Sequence, residues 1–159
     1  MTPHKIVRCL LSSVIDRREI WDAALDRGLG QGMQIEKWVL IEMVPQLKEL
    51  QEQGLIARGE QEHEYTLKKT TRYEHCDIWW QQGDGEHWLE VKTIVLTGTT
   101  QLGSLEDIAK DLAKMDRLVA PFHYHHLGIV FPIHESALPR WKSRLADTYR
   151  QYGLAFEGE

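Results

Sequence analysis

The sequence predicts an α/β domain in which helices flank a mixed central sheet. Three observations carry that prediction. Residues 74–82 and 86–96 are rich in Trp, Val, Ile and Leu and bracket a Gly-Asp-Gly turn, so they read as a hairpin of two central strands. Stretches of helical character stand on both sides of this hairpin. A further apolar run, HLGIVFPI, follows the second helical stretch, and a strand there joins the sheet only through a crossover, which makes the sheet mixed.

Each element has its own justification. DRREIWDAALDR at 16–27 has helical character and stops at Gly28 and Gly30. GMQIEKWVLIEMV at 32–44 forms an apolar helix, which Pro45 kinks or restarts before PQLKELQEQ runs on to Gly54. A short strand is expected at 63–70, ahead of the hairpin. SLEDIAKDLAKMDRLV at 104–119 is a helix with Ser104 as N-cap and Asp107 completing an S-x-x-D capping box. The strand at 126–133 ends near Pro132. Residues 136–152 form an amphipathic helix with Leu138, Trp141, Leu145 and Tyr149 on one stripe. With 159 residues and neither repeat nor low-complexity linker, one domain is expected over 1–159. Its core is 32–133, with helical additions at 1–31 and 134–159.

Composition narrows the classes. The net charge of −5 argues against a broad basic nucleic-acid surface but leaves room for a local one. The two cysteines, Cys9 and Cys76, form no C-x-x-C pattern, which points to reduced thiols and a cytoplasmic setting rather than a disulfide framework. No run approaches the roughly 18 apolar residues of a membrane span. The N-terminal apolar run lacks a small-residue cleavage site and is read as folded.

Three charges interrupt the hairpin strands: Asp77, Glu90 and Lys92. Because strand side chains alternate, Glu90 and Lys92 share a face with Trp88, and Asp77 shares one with Trp79. A two-residue Asp84-Gly85 turn would pair Gly83 with Glu86, Trp79 with Glu90 and Asp77 with Lys92, gathering the charges on one face. A three-residue loop from Gly83 to Gly85 would oppose Asp77 to Val91 and disperse them. One reading is a structural Asp–Lys pair on a partly solvated face. The other starts from the cost of burying carboxylates, which a divalent cation relieves.

The pattern D-x12-E-V-K, on a hairpin between a helix and a helix–strand unit, resembles the PD-(D/E)XK nuclease superfamily, whose fold is restriction-endonuclease-like. Its α-β-β-β-α-β core order matches residues 32–133. The resemblance implies a metal-dependent nuclease hydrolysing phosphodiester bonds in DNA, with RNA the alternative. Asp77 and Glu90 would be metal ligands, completed by the backbone carbonyl of Val91. Cys76 stands where the family often has Pro. Lys92 would position or deprotonate the attacking water, or neutralise developing charge. Many members add a glutamate from the first core helix. Glu36 is favoured over Glu42, because Leu40, Met43 and Leu47 follow it at i+4, i+7 and i+11. The hard oxygen donors suit Mg²⁺ or Mn²⁺. A homodimer would supply the two sites that cutting both strands needs.

Other features have competing readings. Lys110, Lys114 and Arg117 share a helix face and would touch phosphates, or belong to a solvated face with Asp107, Asp111 and Asp116. His123, His125 and His126 have no zinc spacing and read as a loop entering a strand. Trp79 and Trp88 read as core rather than as base-stacking platforms. LKELQEQGLIARGEQEHEYTLKK at 47–69 resembles part of a winged helix, which would make the chain a non-catalytic DNA-binding regulator. A nuclease fold that has become a protein-binding module is a third class.

Overall fold

The computed structural model describes residues 1–26, 35–66, 73–96, 103–114, 123–132 and 138–151. Its architecture is mixed α/β: five helices and a four-stranded mixed sheet among the described residues, with strand order β1-β2-β3-β4. The chain divides into two compact units. One contains Met1–Val91 and Leu118–Leu127, the other Lys92–Arg117 and Gly128–Glu159. No helix among the described residues is long and apolar enough to cross a membrane.

In the first unit, α1 (Pro3–Ile15) opens with Thr2, whose side chain accepts the Lys5 amide at 3.4 Å, and with Pro at the helix start, where its missing N–H costs nothing. Ile6, Leu10 and Val14 follow at i, i+4 and i+8 and are buried. Helix α2 (Arg18–Asp26) buries Trp21. The expected N-terminal helical addition therefore holds two helices. Helix α3 (Ile35–Glu52) runs unbroken through Pro45, which neither ends nor restarts it. A proline inside a helix costs about 3 kcal/mol. The buried residues Val39, Leu40 and Met43 before it and Leu47 and Leu50 after it anchor both halves to the same core and offset that cost.

Helix α3 packs against α1 and the edge strand β1 (Arg58–Thr66). Gly59 permits the close approach, since a Cβ there would lie 2.7 Å from Cγ of Leu47. Strand β1 starts five residues before its expected position. Its first residues, RGEQ, carry no apolar signal, because an edge strand is held by ladder hydrogen bonds to β2 (Tyr73–Gln82) more than by burial.

Strands β2 and β3 (Gly85–Leu96) form the expected hairpin, but around a different turn. Gln82 pairs with Gly85, so the turn residues are Gly83 and Asp84, and Gly83 takes the φ of +59° that the turn requires. The register is thereby displaced by two residues from the one read off Asp84-Gly85. Trp79 opposes Trp88, not Glu90. A displacement of two preserves which side chains share a face.

On one side of the sheet Cys76, Trp79 and Trp88 form a buried cluster that Tyr124 of β4 (His123–Pro132) packs against. Both tryptophans are core residues. On the other side, Trp80 and His87, paired across the hairpin, stack at 5.0 Å between ring centroids. His123 stacks on His87 at 4.7 Å, and His125 stacks on Trp80 at 5.2 Å. The histidine run expected in a loop thus lies in a strand, because its alternate imidazoles join this aromatic stack. Burial, and secondarily the neighbouring His87, depress His125 to a pKa of about 4. Burial, then His123, also lowers His87.

In the second unit, α4 (Gly103–Lys114) begins one residue before the expected cap and buries Ile108 and Leu112. Residues 115–119 of the predicted helix lie outside the described residues. Helix α5 (Leu138–Gln151) packs on α4, with Trp141, Leu145 and Tyr149 of the predicted stripe buried. Burial pushes the Tyr149 hydroxyl up.

Candidate functional site

Strand β2 departs from regular pairing at Asp77. The β2–β3 pairs run from Gln82–Gly85 to Ile78–Leu89. Carried one step further, the same register would set Asp77 opposite Glu90. The expected partner, Lys92, is two residues further on. Asp77 Oδ2 accepts the Val91 amide N–H at 2.7 Å, so the carboxylate turns into the plane of the sheet toward β3. The N–H and C=O of one strand residue project from the same edge, so the Val91 carbonyl is directed to that side as well.

Strand β1 is irregular at the matching position. Pairs flank Glu62 on either side without any slip of register, yet Glu62 itself, the residue across from Asp77, has a φ of +52°. Cys76 and Trp79 are three residues apart and would point to opposite faces of a regular strand, yet they share one cluster. The chain is reversed locally on both strands where Asp77 sits.

Glu90 is buried, at 7% exposure, and Val91 is at 2%. Burial is the main cause that pushes the Cys76 thiol far up, followed by the Glu90 carboxylate and then that of Asp77. The thiol thus feels the field of both acids. Cys76 and Cys9 are free thiols.

In the second unit, Lys92 is half-buried and its Nζ lies 4.0 Å from Oδ2 of Asp111 on α4. Asp111 is on the helix face for which the sequence offers a solvated reading, and its place three residues after Ile108 and next to Leu112 is the signal that it turns inward. Lys110 is exposed. The side chain of Lys114, and Arg117 altogether, lie outside the described residues.

Glu36 sits half-buried in the first turn of α3, beside the buried stripe. Its rival Glu42 is held at 3.0 Å by Arg17. Sequence reading also passed over Glu60 and His63. Glu60 Oε2 lies 2.6 Å from His63 Nδ1, and Glu60 also pairs with Arg58. The His63 hydrogen bond is the chief cause holding the Glu60 carboxyl below its usual range. The His63 ring stacks on Trp79 at 4.4 Å and meets Trp88 edge-on at 6.5 Å.

Among the described residues no three of His, Cys, Asp and Glu group to hold a metal ion. The donor set on the hairpin is two carboxylates and one carbonyl, all hard oxygens. That set fits a cation of the Mg²⁺ type, which keeps several waters and takes only one or two carboxylates from protein. A carboxylate that accepts one N–H retains acceptor capacity for a cation. The chain matches no family model, no curated protein and no solved structure.

Proposed function

We propose that the chain is a metal-dependent nuclease of the PD-(D/E)XK type, hydrolysing phosphodiester bonds in DNA. The observation that carries this is the junction of β2 and β3. There Asp77, bonded to the Val91 amide, stands beside the buried Glu90, and Lys92 follows directly. A buried Glu90, with the part-buried Asp77 on the adjoining strand, is costly for folding, and a site that binds a cation accounts for it. The element order α3-β1-β2-β3-α4-β4 supports a restriction-endonuclease-like core.

Asp77, Glu90 and the Val91 carbonyl would hold Mg²⁺ or Mn²⁺, which when bound supplies Lewis-acid stabilisation of charge on the scissile phosphate. Each residue then has a distinct task. The Val91 amide fixes the orientation of Asp77, so that one carboxylate is aimed before substrate arrives. Burial of Glu90 strengthens its field by keeping water away. Lys92 brings an ammonium, steadied by Asp111, that neutralises charge developing on phosphate; an ammonium has donors but no lone pair to accept a proton. Glu36 would assist from α3. The compartment is the cytoplasm, in keeping with two free thiols. A homodimer would bring two sites to duplex DNA.

The test uses plasmid and linear DNA with Mg²⁺ or Mn²⁺, and EDTA and Lys92→Ala as controls. The expected result is cleavage that both controls abolish. Lys92→Ala should unfold within about 1 kcal/mol of the wild type, because a partly exposed pair at 4.0 Å adds little stability. Cleavage that persists in both controls would place the chemistry elsewhere. Salt-sensitive duplex binding without cleavage would favour the regulator.

A further inference from the structure

Glu60 and His63 are three residues apart on β1, and on a regular strand they would point to opposite faces. Here their side chains meet at 2.6 Å. The reversal occurs at Glu62, whose φ of +52° is left-handed and costs a non-glycine residue roughly 1–2 kcal/mol. Without it the His63 ring would lie on the other side of the sheet from Trp79.

The strained residue lies across from Asp77, and His63 pairs with Cys76, the neighbour of Asp77 on β2. His63 therefore stands one strand over and one residue along from Asp77. To stack on Trp79 its ring leans along β2 from Cys76 past Asp77. The titratable and charged groups next to it are Glu60 and its partner Arg58 on β1 and Cys76 on β2, and Cys76 in turn lies in the field of Glu90 and Asp77. A carboxylate only accepts, so Nδ1 donates to Glu60, and when the ring holds a single proton Nε2 is the nitrogen that can accept another. The side chain is 28% exposed, enough for a water to reach it.

We infer that His63, oriented by Glu60, is the proton acceptor for the attacking water in the proposed hydrolysis. This rests on the nuclease reading and deepens it by filling the role that Lys92, as an ammonium, leaves open. In the step, the water oxygen bonds to phosphorus while its proton passes to Nε2. The bond to the leaving oxygen breaks, and that oxygen takes a proton from solvent. His63 then returns its proton to solvent, so one water is consumed. Glu60 is a positioning residue: it holds the tautomer and ring direction and does not touch the substrate.

The test compares wild type, His63→Gly, His63→Gln, Glu60→Gln and Asp77→Asn on linear DNA with Mg²⁺, alongside Mn²⁺ binding by calorimetry and thermal melts. The expected result is a fall in kcat of about 10²-fold or more for both His63 variants, with KM and Mn²⁺ affinity kept. Added imidazoles should restore His63→Gly at rates that rise with the basicity of the azole. Glu60→Gln should lose less, with no azole rescue. If His63→Gln folds, binds Mn²⁺ and cleaves at the wild-type rate while Asp77→Asn is dead, His63 is not the acceptor and the nuclease reading stands. Rescue that ignores azole basicity would likewise reduce His63 to a structural residue. If the wild type itself cleaves nothing, both the reading and this inference fall.

Discussion

Replacing Asp77 by Asn keeps the shape of the side chain and an oxygen for the Val91 amide, and removes one negative charge beside Glu90. Two carboxylates on facing strand positions, taken as roughly 5–8 Å apart, repel by about 2–3 kcal/mol at an effective dielectric constant of about 20. Against this, the hydrogen bond from Val91 at 2.7 Å falls from the charged class, about 1.5–3 kcal/mol, to the neutral class, about 0.5–1.5 kcal/mol. That is a loss of about 1–1.5 kcal/mol. Asp77→Asn should therefore be more stable than the wild type by about 1 kcal/mol in EDTA, a rise in Tm of roughly 2–4 °C for a chain of this length. Asp77→Ala strands the Val91 amide and should forfeit most of that gain. Mg²⁺ should raise the Tm of the wild type and leave that of Asp77→Asn unmoved. The assay is thermal and urea unfolding followed by circular dichroism, with and without Mg²⁺. An Asn variant less stable than wild type in EDTA would mean that the two acids do not confront each other, and the metal site would lose its physical basis.

The histidine stack implies a stability that depends on pH. His125 has a folded pKa of about 4 against an unfolded value near 6.5. The unfolded chain thus binds the proton first, so the contribution is fully present above pH 6.5 and is lost as pH falls toward 4. The loss approaches about 3 kcal/mol at pH 4. Urea unfolding from pH 7.5 to 4 should show it, and His125→Phe should flatten the curve; an unchanged slope in that variant would absolve the stack. Gly59→Ala should cost about 1–3 kcal/mol through its 2.7 Å approach to Leu47, and a Leu47→Ala background should reduce that penalty, as a double-mutant cycle in urea would measure.

The elements with strong patterns were readable from the chain. The hairpin strands, the helix after them and the stripe Trp141, Leu145, Tyr149 lie where their apolar spacing puts them. The weakly patterned ones were not. The start of β1 is polar because it forms an edge, and the His123 run looked like a loop because its imidazoles find partners only on β2 and β3. Pro45 promised a break that the buried residues on either side of it prevented.

For the candidate site, the sequence marked Asp77 and Glu90 as charges on adjoining strands, but the alternation it relied on breaks at Asp77, whose carboxylate is turned to the Val91 amide instead of standing on the Trp79 face. Which residues oppose which was beyond the chain's local signals. Gly83-Asp84 and Asp84-Gly85 are both competent turns, and the packing of Trp79 against Trp88 distinguishes them. Sequence could not foresee the reversed backbone at Glu62, the turn of Asp77 toward the Val91 amide, or the pairing of Lys92 with Asp111. Each is set by partners distant along the chain, and only folding brings them within hydrogen-bonding or Coulombic reach.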